Sequence, residues 1–412
     1  MSNTSASSGS PSPQQDAGQL VVEAERLLGA RQFIRAVDCM NAAVRSRPDD
    51  LEWLRLRARI LLAASRFTEA QRDFEQLIDR SAADAQGWLD LGHCYRALGR
   101  SADAERAYLR TFELAPGAVE SMVGLGAIYR EAGAYEPAIR WLEKAVSTNP
   151  AEVRAHCLLG TTLLAAGQAD RGRASLERAF SLNPYDRTTM AYLYVALCQT
   201  GERQAAVALV QPELLVRSYR YEKSAVGFGD SLNARLAEHV RHHPSLEFER
   251  RGNTTRGGGH TGNLLEDSPG PVAELFEWIN ERLRGYFAAL PTSASHPYLA
   301  WSPKQWDIDA WGVVIQPGGY QEPHIHADGW VSGVYYVSIP GEIVSASDGR
   351  EGWLELGTPP SPFCDSGEYP TQSIQPQAGR MILFPSFVWH RTMPYQSSEQ
   401  RICIAFDARP RL

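Results

Sequence analysis

Only ten histidines occur in this 412-residue chain, and three of them fall in two short segments where apolar runs meet turn residues. His324, His326 and Asp328 occupy every second position of Glu-Pro-His324-Ile-His326-Ala-Asp328. Alternate side chains of an extended segment point the same way, so all three can face one cavity. A further histidine, His390, closes Leu383-Phe-Pro-Ser-Phe-Val-Trp-His390, and Arg401 stands eleven positions later at the head of Arg401-Ile-Cys-Ile-Ala-Phe406. Two imidazoles and a carboxylate, with the remaining positions open, suit non-haem iron(II). The ligand set is read as His326, Asp328 and His390, with His324 as the alternative to Asp328. One histidine in an apolar strand is usually a satisfied core residue, so the set carries this reading and no single member does. Arg401 is either an edge-strand surface residue or an inward clamp. Its planar fork fits a carboxylate bidentately, as the far carboxylate of 2-oxoglutarate would require.

The elements that must position these residues come in two styles. Residues 1–16 form a Ser/Pro/Gln-rich tail, too poor in apolar side chains to order itself. From residue 17 a period of 34 sets in. Counting from 17, 51, 85, 119 and 153, the eighth position holds Ala24, Ala58, Gly92, Gly126 and Gly160. The twentieth holds Ala36, Ala70, Ala104, Ala138 and Gly172, and the thirty-second holds Pro48, Ala82, Pro116, Pro150 and Pro184. Small residues at the first two let paired helices cross closely, and the proline ends the second helix. The spacing resembles the tetratricopeptide repeat, most clearly in Trp88-Leu-Asp-Leu-Gly92-His-Cys-Tyr95. Five repeats and a degraded sixth are expected over 17–212. Positions two, five, nine and twelve of each first helix form a stripe away from the small residues. It includes Arg55, Arg59, Arg96, Arg130 and Arg154, interleaved with Glu25, Glu52 and Glu120. These arginines are the candidate partner-binding residues.

Beyond residue 213 the period stops. A helical lead-in is expected over 213–300, with amphipathic helices at 231–242 and 271–284 and a glycine-rich loop between them, in which His260 is a loop residue. From 301 to 412, short β-branched and aromatic runs alternate with Pro and Gly, and six of the ten tryptophans lie between 301 and 389. Strands are expected at 311–316, 333–339, 352–356, 381–384 and 401–406, forming a sandwich or jelly roll that the two helices cover.

The segment His324-Ile-His326, Ser332-Gly-Val-Tyr-Tyr336, Gly379-Arg-Met-Ile-Leu-Phe-Pro-Ser386 to His390, and Arg401-Ile-Cys-Ile-Ala-Phe406 resembles the 2-oxoglutarate- and iron(II)-dependent oxygenases, distant relatives of the prolyl hydroxylases. The resemblance covers roughly 215–412. It implies a multidomain α + β chain, with an α-solenoid of repeats followed by a double-stranded β-helix (jelly roll) and flanking helices. It also implies Fe(II), 2-oxoglutarate and oxygen as reactants, hydroxylation of an unactivated C–H bond, and Tyr336 against the cosubstrate carboxylate. Prolyl hydroxylases carry His-x-Asp where this chain carries His-x-His-x-Asp, so Asp328 and His324 both stay open as the third ligand. No catalytic residue beyond the metal and cosubstrate ligands is expected.

A net charge of −7 and a pI near 5.9 give nucleic-acid binding no support. Six cysteines without a C-x-x-C pair fit a reducing compartment. The N-terminus shows no secretory pattern, and no apolar run approaches the roughly 18 residues of a membrane span, so a cytoplasmic protein is expected. The partner expected is a protein or peptide substrate delivered by the repeats, which hold no metal-like cluster. A chain starting near Leu214 should then keep the metal chemistry. Two rival readings are a cupin-type metal protein, whose signature lacks its glutamate here, and a non-enzymatic repeat scaffold with a relic β-domain.

Overall fold

The structure, a computed structural model, describes residues 13–29, 32–82, 84–221, 232–249, 253–266, 270–294, 296–345 and 349–411. Residues 1–12 of the expected tail lie outside them, and 13–16 begin the first helix. Helices run in pairs: α1 Pro13–Gly29 with α2 Phe33–Ser46, α3 Leu51–Ala63 with α4 Phe67–Arg80, α5 Ala85–Ala97 with α6 Ser101–Leu114, and α7 Val119–Glu131 with α8 Tyr135–Thr148. Then come α9 Val153–Ala165, α10 Ala169–Leu182, α11 Arg187–Gln199 and α12 Arg203–Val210. From α3 onward the first helices start 34 residues apart. So do the turns that follow them, where Ser65, Gly99, Gly133, Gly167 and Gly201 all have positive φ of 59° to 79°. That left-handed residue terminates a helix with little steric penalty when it is glycine. Asp50, Asp84 and Asp186 cap α3, α5 and α11 by accepting from the backbone N–H three residues on.

The chain divides into two compact units, Met1–Thr162 and Leu163–Leu412. In the first, the small positions do the expected work. Ala24, Ala36, Ala58, Ala70, Ala104 and Ala138 are fully buried. Tyr108 of α6 lies flat in the gap left by Gly92 and Gly124, where an added Cβ would sit 2.6 and 2.7 Å from its ring.

In the second unit, α10, α11 and α12 cluster with everything that follows, so the expected boundary near 212 falls inside it. After α13 (Pro212–Leu215) the strands are β1 Arg217–Arg220, β2 Glu247–Phe248, β3 Thr255–His260, β4 Trp306–His324, β5 Val331–Ser338, β6 Leu354–Leu356, β7 Gln372–Ile374, β8 Arg380–Pro385, β9 His390–Thr392 and β10 Arg401–Pro410. They form a curled antiparallel sheet of order β1-β8-β5-β10-β4-β9-β6-β7, consistent with a jelly roll, with β3 and β2 added alongside β4. The five strands expected from sequence are all present. The lead-in is not purely helical, however, because β1 pairs with β8 and the supposed glycine-rich loop is β3, hydrogen-bonded to β4. Glycine lets β3 lie this close: a Cβ on Gly258 would stand 2.6 Å from the Val314 carbonyl.

Strand β4 turns a corner at Gly318 (φ 81°), its first half pairing with β10 and its last residues with β9. On β10, Ile402, Ile404 and Phe406 are buried, and Phe406 meets Phe276 of α15 (Pro271–Ala289) at 5.8 Å between ring centroids. Helix α14 (Leu232–Arg241) presses Val240 to where a Cβ on Gly312 would be. Both helices therefore cover one face, and the period of two turns Arg401, Cys403 and Ala405 to the other, toward a cavity. A short helix, α16 (Gly341–Ser345), follows β5.

Two glycine substitutions test this packing in opposite directions. Gly126→Ala gains up to about 1 kcal/mol of helix propensity, but its Cβ would lie 2.5 Å from Leu142 Cγ. Overpacking costs about 1–3 kcal/mol, so its calorimetric melting temperature should fall. Gly285→Ala in α15, where a Cβ meets nothing within 4 Å, should raise it.

Candidate metal centre

The β4–β9 register places His324 opposite His390, with ring centroids 4.1 Å apart. His326 lies two residues past the end of β4, its ring 5.2 Å from His324 and 5.0 Å from His390. One nitrogen from each of the three comes within 4.8 Å of the other two. A hydrogen bond fixes which nitrogen. His324 Nδ1 donates to the Glu322 carbonyl at 2.7 Å and His390 Nδ1 to the Val388 carbonyl at 3.1 Å. His326 Nδ1 lies 2.7 Å from Asp407 Oδ1. Carbonyl and carboxylate oxygens only accept, so each Nδ1 carries the proton and each Nε2 keeps a lone pair for a metal. Tethering the far ring nitrogen in this way orients a ligand and raises its basicity.

Burial keeps His324 and His390 neutral. It pushes the His324 pKa down to about 3, with the neighbouring His326 adding to the effect. Burial also drives His390 far below the usual histidine range, reinforced by His324 and His326. Asp407 is itself held by Ser332, whose hydroxyl donates to it at 2.6 Å. Ser332 Oγ lies 2.9 Å from Ser386 Oγ as well. The sequence reading passed over Asp407, although it stands six positions after Arg401 and so faces the same way along β10.

Asp328 does not join the cluster. The extended run ends at His324, residues 327–328 form a turn, and Asp328 is exposed at the surface, within electrostatic range of Arg187. The alternation that would aim it at the site holds only while the strand continues.

The cavity beside the imidazoles measures about 210 Å³ and reaches Arg401 and Tyr336. Arg401 is 1% exposed. Its Nη1 donates to the Gly352 carbonyl at 2.9 Å, while its Nε has no partner. The Tyr336 hydroxyl is also buried without a partner, and the guanidinium carbon lies 5.3 Å from the Tyr336 ring centroid. Burial pushes the Tyr336 phenol up to about 12, so it is a donor at neutral pH. A guanidinium cannot shed its proton. Two orphaned donors at one end of a cavity, with three lone pairs lining it, match an anion that also reaches a metal. Asn253, Thr254, His260 and Gln321 line the same cavity, and His260 Nε2 is hydrogen-bonded to Thr255 Oγ1.

Residues 309–407 match a family model described as "Putative 2OG-Fe(II) oxygenase". Residues 21–85, 81–151 and 153–186 match tetratricopeptide-repeat models. The chain carries an oxygenase domain and tetratricopeptide repeats. Similar solved structures include a thermophilic repeat protein of Thermus thermophilus, with 19% identity, a TM-score of 0.39, and coverage of 44% of this chain and 98% of that one. Another is MamA of Desulfovibrio magneticus RS-1, with 21% identity, a TM-score of 0.36, and coverage of 39% and 90%. A repeat protein of Parabacteroides merdae has 19% identity, a TM-score of 0.39, and coverage of 47% and 77%. No curated protein matches. All the candidate ligands and Arg401 fall inside the oxygenase match, whereas β3, which supplies part of the cavity wall, precedes it. No helix among the described residues is long and apolar enough to cross a membrane.

In the repeats, the arginine stripe is largely paired within the protein. Arg55 reaches Asp84 at 2.5 Å, Arg59 reaches Asp90 at 3.1 Å, and Arg96 reaches Glu131 at 2.8 Å, each bridging successive first helices. The glutamates counted from sequence are not the partners. Arg154 is exposed, and Arg130 is half-buried with an unpartnered Nε.

Metal content separates the two ligand sets. His324→Ala should lose bound metal and Asp328→Ala should retain it, read by equilibrium dialysis against Co(II). Asp407→Ala should weaken binding roughly 10- to 100-fold, as loss of a ligand's hydrogen-bond partner does.

Proposed function

We propose that the chain is an iron(II)- and 2-oxoglutarate-dependent hydroxylase, with His324, His326 and His390 as metal ligands and Arg401 and Tyr336 as the cosubstrate clamp. The observation that carries this reading is the pairing, in one cavity, of three converging Nε2 lone pairs with two orphaned buried donors. The size fits as well. About 210 Å³ is below the roughly 300–1,000 Å³ of sites for drug-sized ligands, the scale of a small acid.

When bound, the iron and its cosubstrate would supply the oxidising chemistry, which no side chain here can perform. The protein's part is to bind, orient and exclude water. The Arg401 fork would take the far carboxylate and Tyr336 O–H would donate to the same group. His324 and His390, kept neutral by burial, would accept the metal without first losing a proton. Phe384 and Leu354 supply apolar wall, which limits water around the reacting atoms. The three-imidazole set, with no carboxylate among the ligands, also suits a cupin-type metal protein. The orphaned Arg401 and Tyr336 donors favour the oxygenase.

We infer further that the substrate is a protein or peptide brought in by the repeats, whose stacked helices offer an extended surface separate from their packed core.

Anaerobic calorimetry with iron(II) and then 2-oxoglutarate, followed by succinate release on admitting oxygen, tests the reading. Arg401→Ala should retain the metal but lose 2-oxoglutarate affinity by about 2–5 kcal/mol, the cost of leaving a buried charge unpaired. Equal affinity in the variant would return the advantage to the cupin reading.

A further inference from the structure

We propose that α11, the first helix of the sixth repeat, belongs to the metal site as a brace that sets where His326 and His390 stand. The proposal rests on the three-histidine reading above. It starts from what covers this helix, because burial alone does not set it apart: in α7 Val119 and every residue from Ser121 to Ile128 are buried as well. In α11, Thr189, Met190 and Ala191 are buried, and so is every residue from Leu193 to Cys198. The stripe that is charged in earlier repeats is covered here, and what covers it is the sheet domain of the same unit.

Two of its contacts fall on residues directly beside metal-site histidines. Arg187 Nε donates to the carbonyl of Ala327, the neighbour of His326, at 2.9 Å. Its guanidinium also lies over Trp330, 5.7 Å from the ring centroid. Trp330 is buried, stacked on Tyr298 at 5.0 Å, and tied through its backbone to Ala408 and Ser386. The Ser386 carbonyl in turn accepts from the His326 N–H at 3.0 Å, so Arg187 holds a loop that is latched on both sides. At the other histidine, the Trp389 indole N–H donates to the Ala191 carbonyl of α11 at 3.1 Å in a buried bond. The Tyr192 ring meets Trp389 edge-on at 5.3 Å and Phe363 at 5.4 Å. Further along the helix, Tyr194 Oη donates to the Pro370 carbonyl at 3.0 Å. Arg187, Ala191 and Tyr194 repeat at four and three residues, one face of a helix.

A metal site tolerates about 0.5 Å of ligand displacement before its geometry suffers. His390 has little freedom of its own, because its Nδ1 is bound to the Val388 carbonyl. A shift of Trp389 therefore moves the imidazole with the backbone. In this arrangement Arg187 and Tyr192 are positioning residues, and the oxygenase domain includes α11. A chain beginning near Leu214 would lack both contacts.

The test uses the full chain and Co(II) as the probe, reading both affinity and the d–d absorption that reports ligand geometry. Arg187→Ala and Tyr192→Ala should each weaken Co(II) binding roughly tenfold and alter the spectrum, while Tyr192→Phe, which keeps the ring contacts, should restore both. Hydrogen exchange should rise in 325–330 and 386–392 in the two alanine variants. Folded alanine variants with the parent's affinity and spectrum would overturn the proposal. Should Tyr192→Ala fail to fold, Arg187→Ala decides alone, since it removes from a half-buried side chain the bonds to the Ala327 and Tyr185 carbonyls and the Trp330 contact and leaves the helix's buried face intact. His390→Ala is the control on the underlying reading. If it binds Co(II) as the parent does, the three-histidine site is wrong and the brace falls with it. If it abolishes binding while the α11 variants change nothing, the brace alone is wrong.

Discussion

In the second unit three imidazoles hold their protons on Nδ1, which leaves their Nε2 atoms free beside one another. Each proton is taken up by a different acceptor. The Glu322 and Val388 carbonyls lie two residues before the histidines they hold, so those tethers are local. The third is Asp407, eighty-one residues from His326, and it requires β10 to lie between β5 and β4. The tethers orient the rings, and burial keeps His324 and His390 neutral.

Much of this was legible in the sequence, and the part that was not has a common cause. The period of 34 was visible because helix packing within a repeat is local: small residues at fixed offsets record the crossing of adjacent helices. Histidines two apart in an extended run likewise announced a shared direction. Asp328 misled because alternation was carried past the point where the strand stops. The end of β4 is marked by its pairing with β9, a contact between residues sixty-six apart. The strands β1 and β3 hid in a stretch that reads as helical, because their partners are about 160 and about 60 residues away. The arginine stripe looked available because its acidic partners, Asp84, Asp90 and Glu131, lie on the next first helix or at its N-cap rather than on the same helix face.

The same distinction separates the two units. Repeat helices contact their chain neighbours, so a substitution there is felt near where it occurs. The jelly roll collects its site from four strands, β4, β5, β9 and β10, and Arg401, Tyr336 and the histidines meet only when all are paired. Helix α11 stands between these regimes, with a repeat's spacing and capping aspartate but contacts to the residues of the sheet.

Strand β10 sits in the middle of the sheet, flanked by β5 on one side and β4 on the other. The repeats can close pairwise, since their contacts are local, whereas β4 and β5 each keep an open edge until β10 pairs with both. Exposed strand edges invite pairing with other chains, and non-local pairing is slow. Residues 401–410 join the two halves of the sheet, bring Arg401 to the cavity and Asp407 to His326, and cover both edges at once. Assembly of the site and protection of the sheet are thus the same step.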